Sequence, residues 1–267
     1  MSKSLVQQQF GANAAAYTTS AVHAAGDSLA RIVELVKPQR TWAALDIATG
    51  AGHTAAALAP HVASVVASDL TPQMLVQAAK LAASRGISNM TTVAADAEAL
   101  PFADASFDLV TCRIAPHHFP EVPRFVAEVR RVLREGGVFA LVDNVSPDAL
   151  TTPGFTKAEL HDASVTYNTF EKLRDPSHAR ALMLTEWLEV LDDIGLTVGH
   201  REILPKPMAF GDWAERMQVT PETKARLDEM LATASPAFKA FMRPRQEQGG
   251  LWFTLDEALI VALKTVA

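Results

Sequence analysis

The sequence predicts an α/β fold, a doubly wound, mostly parallel sheet of seven strands with helices on both faces and an added helical cap. Three observations predict it. Short apolar runs alternate with helical segments through the first 145 residues, which implies right-handed crossovers and a sheet covered on both sides. Helix starts and stops fall on recognisable signals, such as Thr71-Pro72 at one opening and Arg85-Gly86 at its close. Beyond residue 148 the alternation gives way to polar, helix-like stretches and two further apolar runs.

Element by element, a helical segment over Ala21 to Val36 precedes the run Trp42 to Ile47, short and well bounded enough to be a buried strand. A helix over His53 to Ala59 leads to strand two at Ala63 to Ser68, and the Thr71-capped helix follows. Thr91 to Ala94 and Phe107 to Thr111 read as strands three and four. Val122 to Leu133 reads as an amphipathic helix stopped by Gly136-Gly137, before strand five at Val138 to Val142. Leu184 to Ile194 is a helix ended by Gly195, Leu196 to Ile203 a sixth strand, residues 212–246 helical, and Ala258 to Thr265 a last strand. The expected organisation is a helical lid over residues 1–36 and a core over 37–147. Cap insertions occupy 148–182 and 205–247, and 183–204 with 248–267 complete the sheet.

Composition removes several function classes. A net charge of -6 on 267 residues leaves no basic footprint for a polyanion, so nucleic acid is not an expected partner. The lone Cys112 excludes an intrachain disulfide framework and a cysteine-rich metal site, in keeping with a reducing compartment. The opening MSKSLVQQQFG has no apolar signal core, and no run reaches the ~18 apolar residues that span a bilayer. A cytoplasmic protein without stable membrane insertion is expected, and a homodimer is left open.

The first strand runs into Asp46-Ile-Ala-Thr-Gly-Ala-Gly52, a small-residue turn that lets backbone approach a ligand. Gly50-x-Gly52-x-x-Ala55 fits the dinucleotide spacing, so an NAD-dependent oxidoreductase is an alternative. Asp46 speaks against it. A strand-end carboxylate there would meet the charges of a pyrophosphate, whereas S-adenosylmethionine offers a sulfonium, an ammonium and no phosphate. Asp69 ends strand two and suits ribose hydroxyls. Asp96 follows strand three and can accept from an adenine amino group, with Leu70, Met74 and Ala97 as apolar walls. Three acids at successive strand ends converge where open α/β sheets bind ligands.

These motifs resemble class I S-adenosylmethionine-dependent methyltransferases, in the branch similar to ubiquinone and menaquinone biosynthesis methyltransferases (methyltransferase type 11). The resemblance covers residues 40–145. It rests on LDIATGAGH as glycine-rich motif, ASDLTPQML as ribose motif, AADAEALPFADASFDLVTCR as adenine-to-fourth-strand motif and EVRRVLREGGVFALVD as late helix-strand motif. It implies a Rossmann-like sheet with an antiparallel last strand and S-adenosyl-L-methionine as cofactor, S-adenosyl-L-homocysteine being the product. It also implies Asp46, Ala48, Gly50 and Gly52 at the methionine part, Asp69 and Leu70 at the ribose, Asp96 and Ala97 at the adenine, and Phe10 and Tyr17 in an N-terminal lid. Ala48 stands where the family pattern has glycine. It is expected to need only ordinary backbone angles.

Methyl transfer from a sulfonium is an in-line displacement, and a base is needed only if the acceptor must lose a proton. After strand four come Arg113-Ile-Ala-Pro-His117-His118 in place of the Asn/Asp-Pro-Pro-aromatic tetrapeptide of enzymes that methylate nucleic-acid amines. His117 and His118 are candidates for a base or for pocket wall, and no acid or cysteine at ligand spacing makes them a metal site. Arg113 could bind the cofactor region or an acidic substrate, or pair with Asp108 or Glu121. His23, Tyr167, His178, Arg180, Trp213 and Met217 could line a pocket or serve as packing. Together they favour a small apolar or aromatic acceptor. A non-catalytic S-adenosylmethionine-binding protein is the third reading.

Overall fold

The structure is a computed structural model that describes residues 3–19 and 27–265, without the side chains of residues 12–19 and 27. The Tyr17 side chain and His23 therefore lie outside the described residues. The chain divides into two units: Met1–Asp143 with Glu189–Glu202 and Leu259–Ala267, and Asn144–Leu188 with Ile203–Ala258.

In the first unit, β1 (Ala43–Ile47) pairs in parallel with β2 (Ser64–Asp69) and β4 (Phe107–Arg113). In turn β2 pairs with β3 (Met90–Ala94) and β4 with β5 (Leu133–Asn144), again in parallel. With β6 (Leu196–Ala209) and β8 (Gly250–Lys264) the order is β3-β2-β1-β4-β5-β8-β6, and a short β7 (Arg245–Glu247) lies antiparallel on β8. This is the expected doubly wound, mostly parallel sheet with an antiparallel strand, enlarged by β7. The order reverses between β1 and β4, the switch point at which such sheets open a crevice beyond their carboxyl ends.

Helices α1 (Lys3–Thr19), α2 (Asp27–Val36), α3 (His53–Leu58), α4 (Pro72–Ser84) and α5 (Val122–Val132) belong to this unit. Val122, Phe125, Val126, Val129 and Val132 give α5 one buried apolar face at helical spacing. The helix ends at Val132 rather than at the glycine pair, because Leu133 already extends as the first residue of β5. Gly137 is needed inside that strand: a Cβ there would stand 2.8 Å from the Arg134 carbonyl oxygen. Of the segment Ala21 to Val36, the described part begins at Asp27.

The second unit holds α6 (Lys157–Arg174), α8 (Phe210–Glu215), α9 (Pro221–Thr233) and α10 (Pro236–Met242), while α7 (Leu184–Asp193) runs through both units. Thr156 and Glu159 close a reciprocal capping box on α6. The stretch 148–182 is thus helical only in its middle, and Asp148 Oδ1 pins the preceding turn by accepting from the Leu150 and Thr151 amides at 2.9 Å. Residues 212–246 are likewise broken, since Thr220-Pro221 and Ser235-Pro236 each start a new helix. The core of this unit is aromatic: Phe170 stacks on Trp213 with centroids 4.9 Å apart, Phe253 meets Trp213 edge-on, and Tyr167 meets Phe241 edge-on.

Candidate active site

At the switch point Asp46 of β1 stands in register with Thr111 of β4. Its carboxylate is only 1% exposed and accepts from Thr111 Oγ1 at 2.7 Å and Thr49 Oγ1 at 2.5 Å. Burial raises its pKa to about 6, against the pull of the two hydroxyls and the Arg113 guanidinium. Arg113 donates to Thr54 Oγ1 at 3.1 Å and to Ser28 Oγ at 3.4 Å. Asp108, weighed as its ion-pair partner, is held by Arg134 at 2.6 Å.

The turn after β1 corrects one expectation. Ala48 has φ +51°, in the left-handed region, where a Cβ costs about 1–2 kcal/mol. It occupies a glycine conformation. Gly50 and Gly52 also have positive φ, but for different ends. A Cβ on Gly50 would meet nothing within 4 Å, so backbone there faces open space. On Gly52 it would stand 2.8 Å from the Ala78 Cβ of α4, so this glycine lets helix and turn close together.

Asp69, buried at the end of β2, accepts from the Gly50 amide at 2.9 Å and the Thr71 amide at 2.8 Å. It ties the glycine turn to the start of α4, and burial raises its pKa. Met74 of α4 and Ala97, which follows β3, are buried, and Leu70 is half-buried. Asp96 differs: its Oδ2 takes Lys3 Nζ of α1 at 2.5 Å, and the same ammonium reaches Glu98 at 2.7 Å. Gln7 Nε2 of α1 donates to the Leu70 carbonyl at 2.9 Å. The helix α1 therefore lies against the Asp96 end of the row.

Beyond β4 a short helical turn, Pro116–His118, places His117 Nδ1 2.6 Å from Asp143 Oδ1 at the end of β5. The His118 ring tilts against His117 at 4.2 Å and receives the Phe10 ring of α1 edge-on at 5.0 Å.

Residues 45–141, which carry this row of strand ends, match the family model of a methyltransferase domain. The methyltransferase YcgJ of Bacillus subtilis is 35% identical over 207 residues, 78% of each chain, and its crystal structure superposes with a TM-score of 0.80 over 90% of this chain and 99% of that one. The chain belongs to the class I S-adenosylmethionine-dependent methyltransferases. The crystal structure of the methyltransferase BH2331 of Bacillus halodurans agrees, at a TM-score of 0.82 and 37% identity, covering 90% of this chain and all of that one. Likeness to the quinone branch is narrower: the demethylmenaquinone methyltransferase of Deinococcus radiodurans is 41% identical over 106 residues, 39% of this chain and 43% of that one.

Membership in the methyltransferases removes the dinucleotide reading of Gly50, Gly52 and Ala55. Among the described residues, no helix is long and apolar enough to cross a membrane. Of the residues weighed as pocket lining, Tyr167 and Trp213 are core side chains of the second unit, His178 is buried against Asn168, and Arg180 pairs with Glu186. Asp143 is the residue of this methyltransferase that the sequence did not single out. The signal was present, since it too is an acid at the carboxyl end of a parallel strand.

Proposed function

We propose that this methyltransferase moves the methyl group of S-adenosylmethionine to a small, apolar or aromatic organic acceptor by in-line displacement. The observation that carries the reading is the row of carboxylates at the ends of β1, β2 and β3 beside a turn whose backbone faces open space. A buried carboxylate with a raised pKa is stabilised as the anion when a cation arrives, which suits Asp46 to the charged methionine part, with Ala48, Gly50 and Gly52 as backbone cradle and Arg113 behind. Asp69 is fixed by two amides and retains lone pairs for two ribose hydroxyls beside Leu70. Asp96 takes the adenine amino group, with Met74 and Ala97 as walls. When bound, the cofactor supplies an electrophilic methyl on its sulfonium.

The chain's own part is alignment and exclusion of water, worth up to about 7–11 kcal/mol in the best cases. Phe10 and Tyr17 act from the lid, residues 1–36. The Phe10 and His118 rings favour an apolar or aromatic acceptor over nucleic acid, in the cytoplasm. In the test, S-adenosylhomocysteine at ~100 times its dissociation constant stabilises the fold by ~2.7 kcal/mol, read as a rise in Tm, and NAD does not. Asp69→Ala should weaken its binding more than about tenfold by calorimetry. Unchanged affinity in the folded variant would return Asp69 to a cap of α4.

A further inference from the structure

Backbone strain lies just beyond the end of β4. Ile114 has φ +54°, a left-handed conformation that a β-branched residue adopts only when its surroundings impose it. Its amide is anchored to the Val142 carbonyl of β5 at 2.7 Å. This twist turns the chain back so that His117 meets Asp143, Nδ1 to Oδ1 at 2.6 Å. The two side chains differ in access: Asp143 is 1% exposed, while His117 retains 10%. Both are buried, the carboxylate the more completely.

We propose that His117 is the general base of methyl transfer, that Asp143 is its positioning residue, and that the acceptor carries a removable proton on oxygen or on an activated carbon. This rests on the methyl-transfer reading above. A carboxylate that accepts the Nδ1 proton fixes the neutral imidazole in the tautomer whose lone pair lies on Nε2. The acceptor atom bonds to the methyl carbon as the methyl–sulfur bond breaks and its electron pair stays on sulfur. The acceptor's proton passes to Nε2 of His117, and later to water. A tertiary amine or a thioether has no proton to lose, so a buried base dyad would serve neither. His118 is pocket wall, since Phe10 and His117 pack its ring.

Among the described residues, Asp143 of β5 and His118 on the same turn face His117, and Cys112 and Arg113 precede it at the end of β4. Arg113 is turned to Thr54 and Ser28. The Cys112 thiol is held neutral by burial and by the Asp143, Asp46 and Asp69 charges. Between pH ~5.5 and 8 the dyad is therefore the group expected to govern turnover, together with Asp46 through cofactor affinity.

The first test needs no turnover: imidazole ¹⁵N spectra of the protein with S-adenosylhomocysteine bound, at about pH 8, above the ordinary imidazole range. His117 should carry its proton on Nδ1, and Asp143→Asn should lose that preference. The second uses a panel of phenols, 1,3-dicarbonyls and tertiary amines at saturating S-adenosylmethionine, read as S-adenosylhomocysteine release. Phenols or dicarbonyls should be methylated, and His117→Gln should lower kcat about 100-fold or more with S-adenosylhomocysteine affinity within about twofold. His118→Gln should chiefly raise KM, and Asp143→Asn should move the acidic limb of the pH–rate profile to lower pH. A flat wild-type profile, an unaltered tautomer in Asp143→Asn, or turnover confined to amines or absent throughout overturns the proposal. Failure of S-adenosylhomocysteine to bind overturns the methyl-transfer reading instead.

Discussion

The two ends of the strand-end row use the same residue type under opposite conditions. Around β1, β4 and β5 the carboxylates of Asp46 and Asp143 are sealed at 1% exposure and answered by hydroxyls or an imidazole. Beyond β3, Asp96 is 31% exposed at its side chain and answered by Lys3, itself 36% exposed. Solvent access decides the chemistry. A sealed acid has a fixed direction, and burial raises the pKa of Asp46, while an open one offers an exchangeable ion pair worth little net free energy.

The largest effect expected from breaking this contrast is at Gly52. Gly52→Ala combines a left-handed Cβ with a contact 2.8 Å from Ala78, and should destabilise by about 2–5 kcal/mol in denaturant unfolding. A small loss would mean that α4 can back away from the turn.

Asp46 comes next, and here the sign runs toward stability. Its folded pKa of about 6 lies above the ordinary aspartate value of 3.8, so the folded state binds the proton more tightly than the unfolded chain. Wild-type stability from this group therefore falls as pH rises from about 4 to 6 and is level above. Asp46→Asn should be more stable at pH 7 by up to about 3 kcal/mol, with the gap closing near pH 4. Binding of cationic S-adenosylmethionine to the wild type should weaken below pH ~6 as Asp46 is protonated, which calorimetry across that range would detect.

Ala48→Gly should stabilise by about 0.5–1 kcal/mol, the relieved strain exceeding the entropy that glycine adds to the unfolded chain. A loss of stability would show that the Ala48 methyl packs usefully. At the open end the effect should be smallest: Lys3→Ala should change stability by less than ~1 kcal/mol and raise S-adenosylhomocysteine affinity by no more than about fivefold, by freeing Asp96. Weaker binding in this variant would mean that Lys3 supports the adenine end.

The row itself was legible in the sequence, because Asp46, Asp69 and Asp96 follow apolar runs whose length marks them as buried strands. Asp143 obeys the same rule, but its partner His117 follows the left-handed Ile114, a turn that sequence does not announce. The sequence places strand six at Leu196 to Ile203, yet β6 continues through Pro205 and Pro207 to Ala209. It is the last strand in the sheet order, where prolines are tolerated. Tyr167 and Trp213 suit either a pocket or a core by type alone, and only the packing with Phe170, Phe241 and Phe253 makes them core.

Cys112 carries one practical consequence. It is fully buried in β4, and its thiol is raised well above the ordinary range by burial first and then by the charges of Asp143, Asp46 and Asp69. Only a thiolate reacts readily with alkylating dyes. A cysteine introduced at an exposed apolar position such as Val76 or Leu150 will then be the sole site that takes up a maleimide fluorophore. The native chain is ready for single-site labelling without removal of its own cysteine.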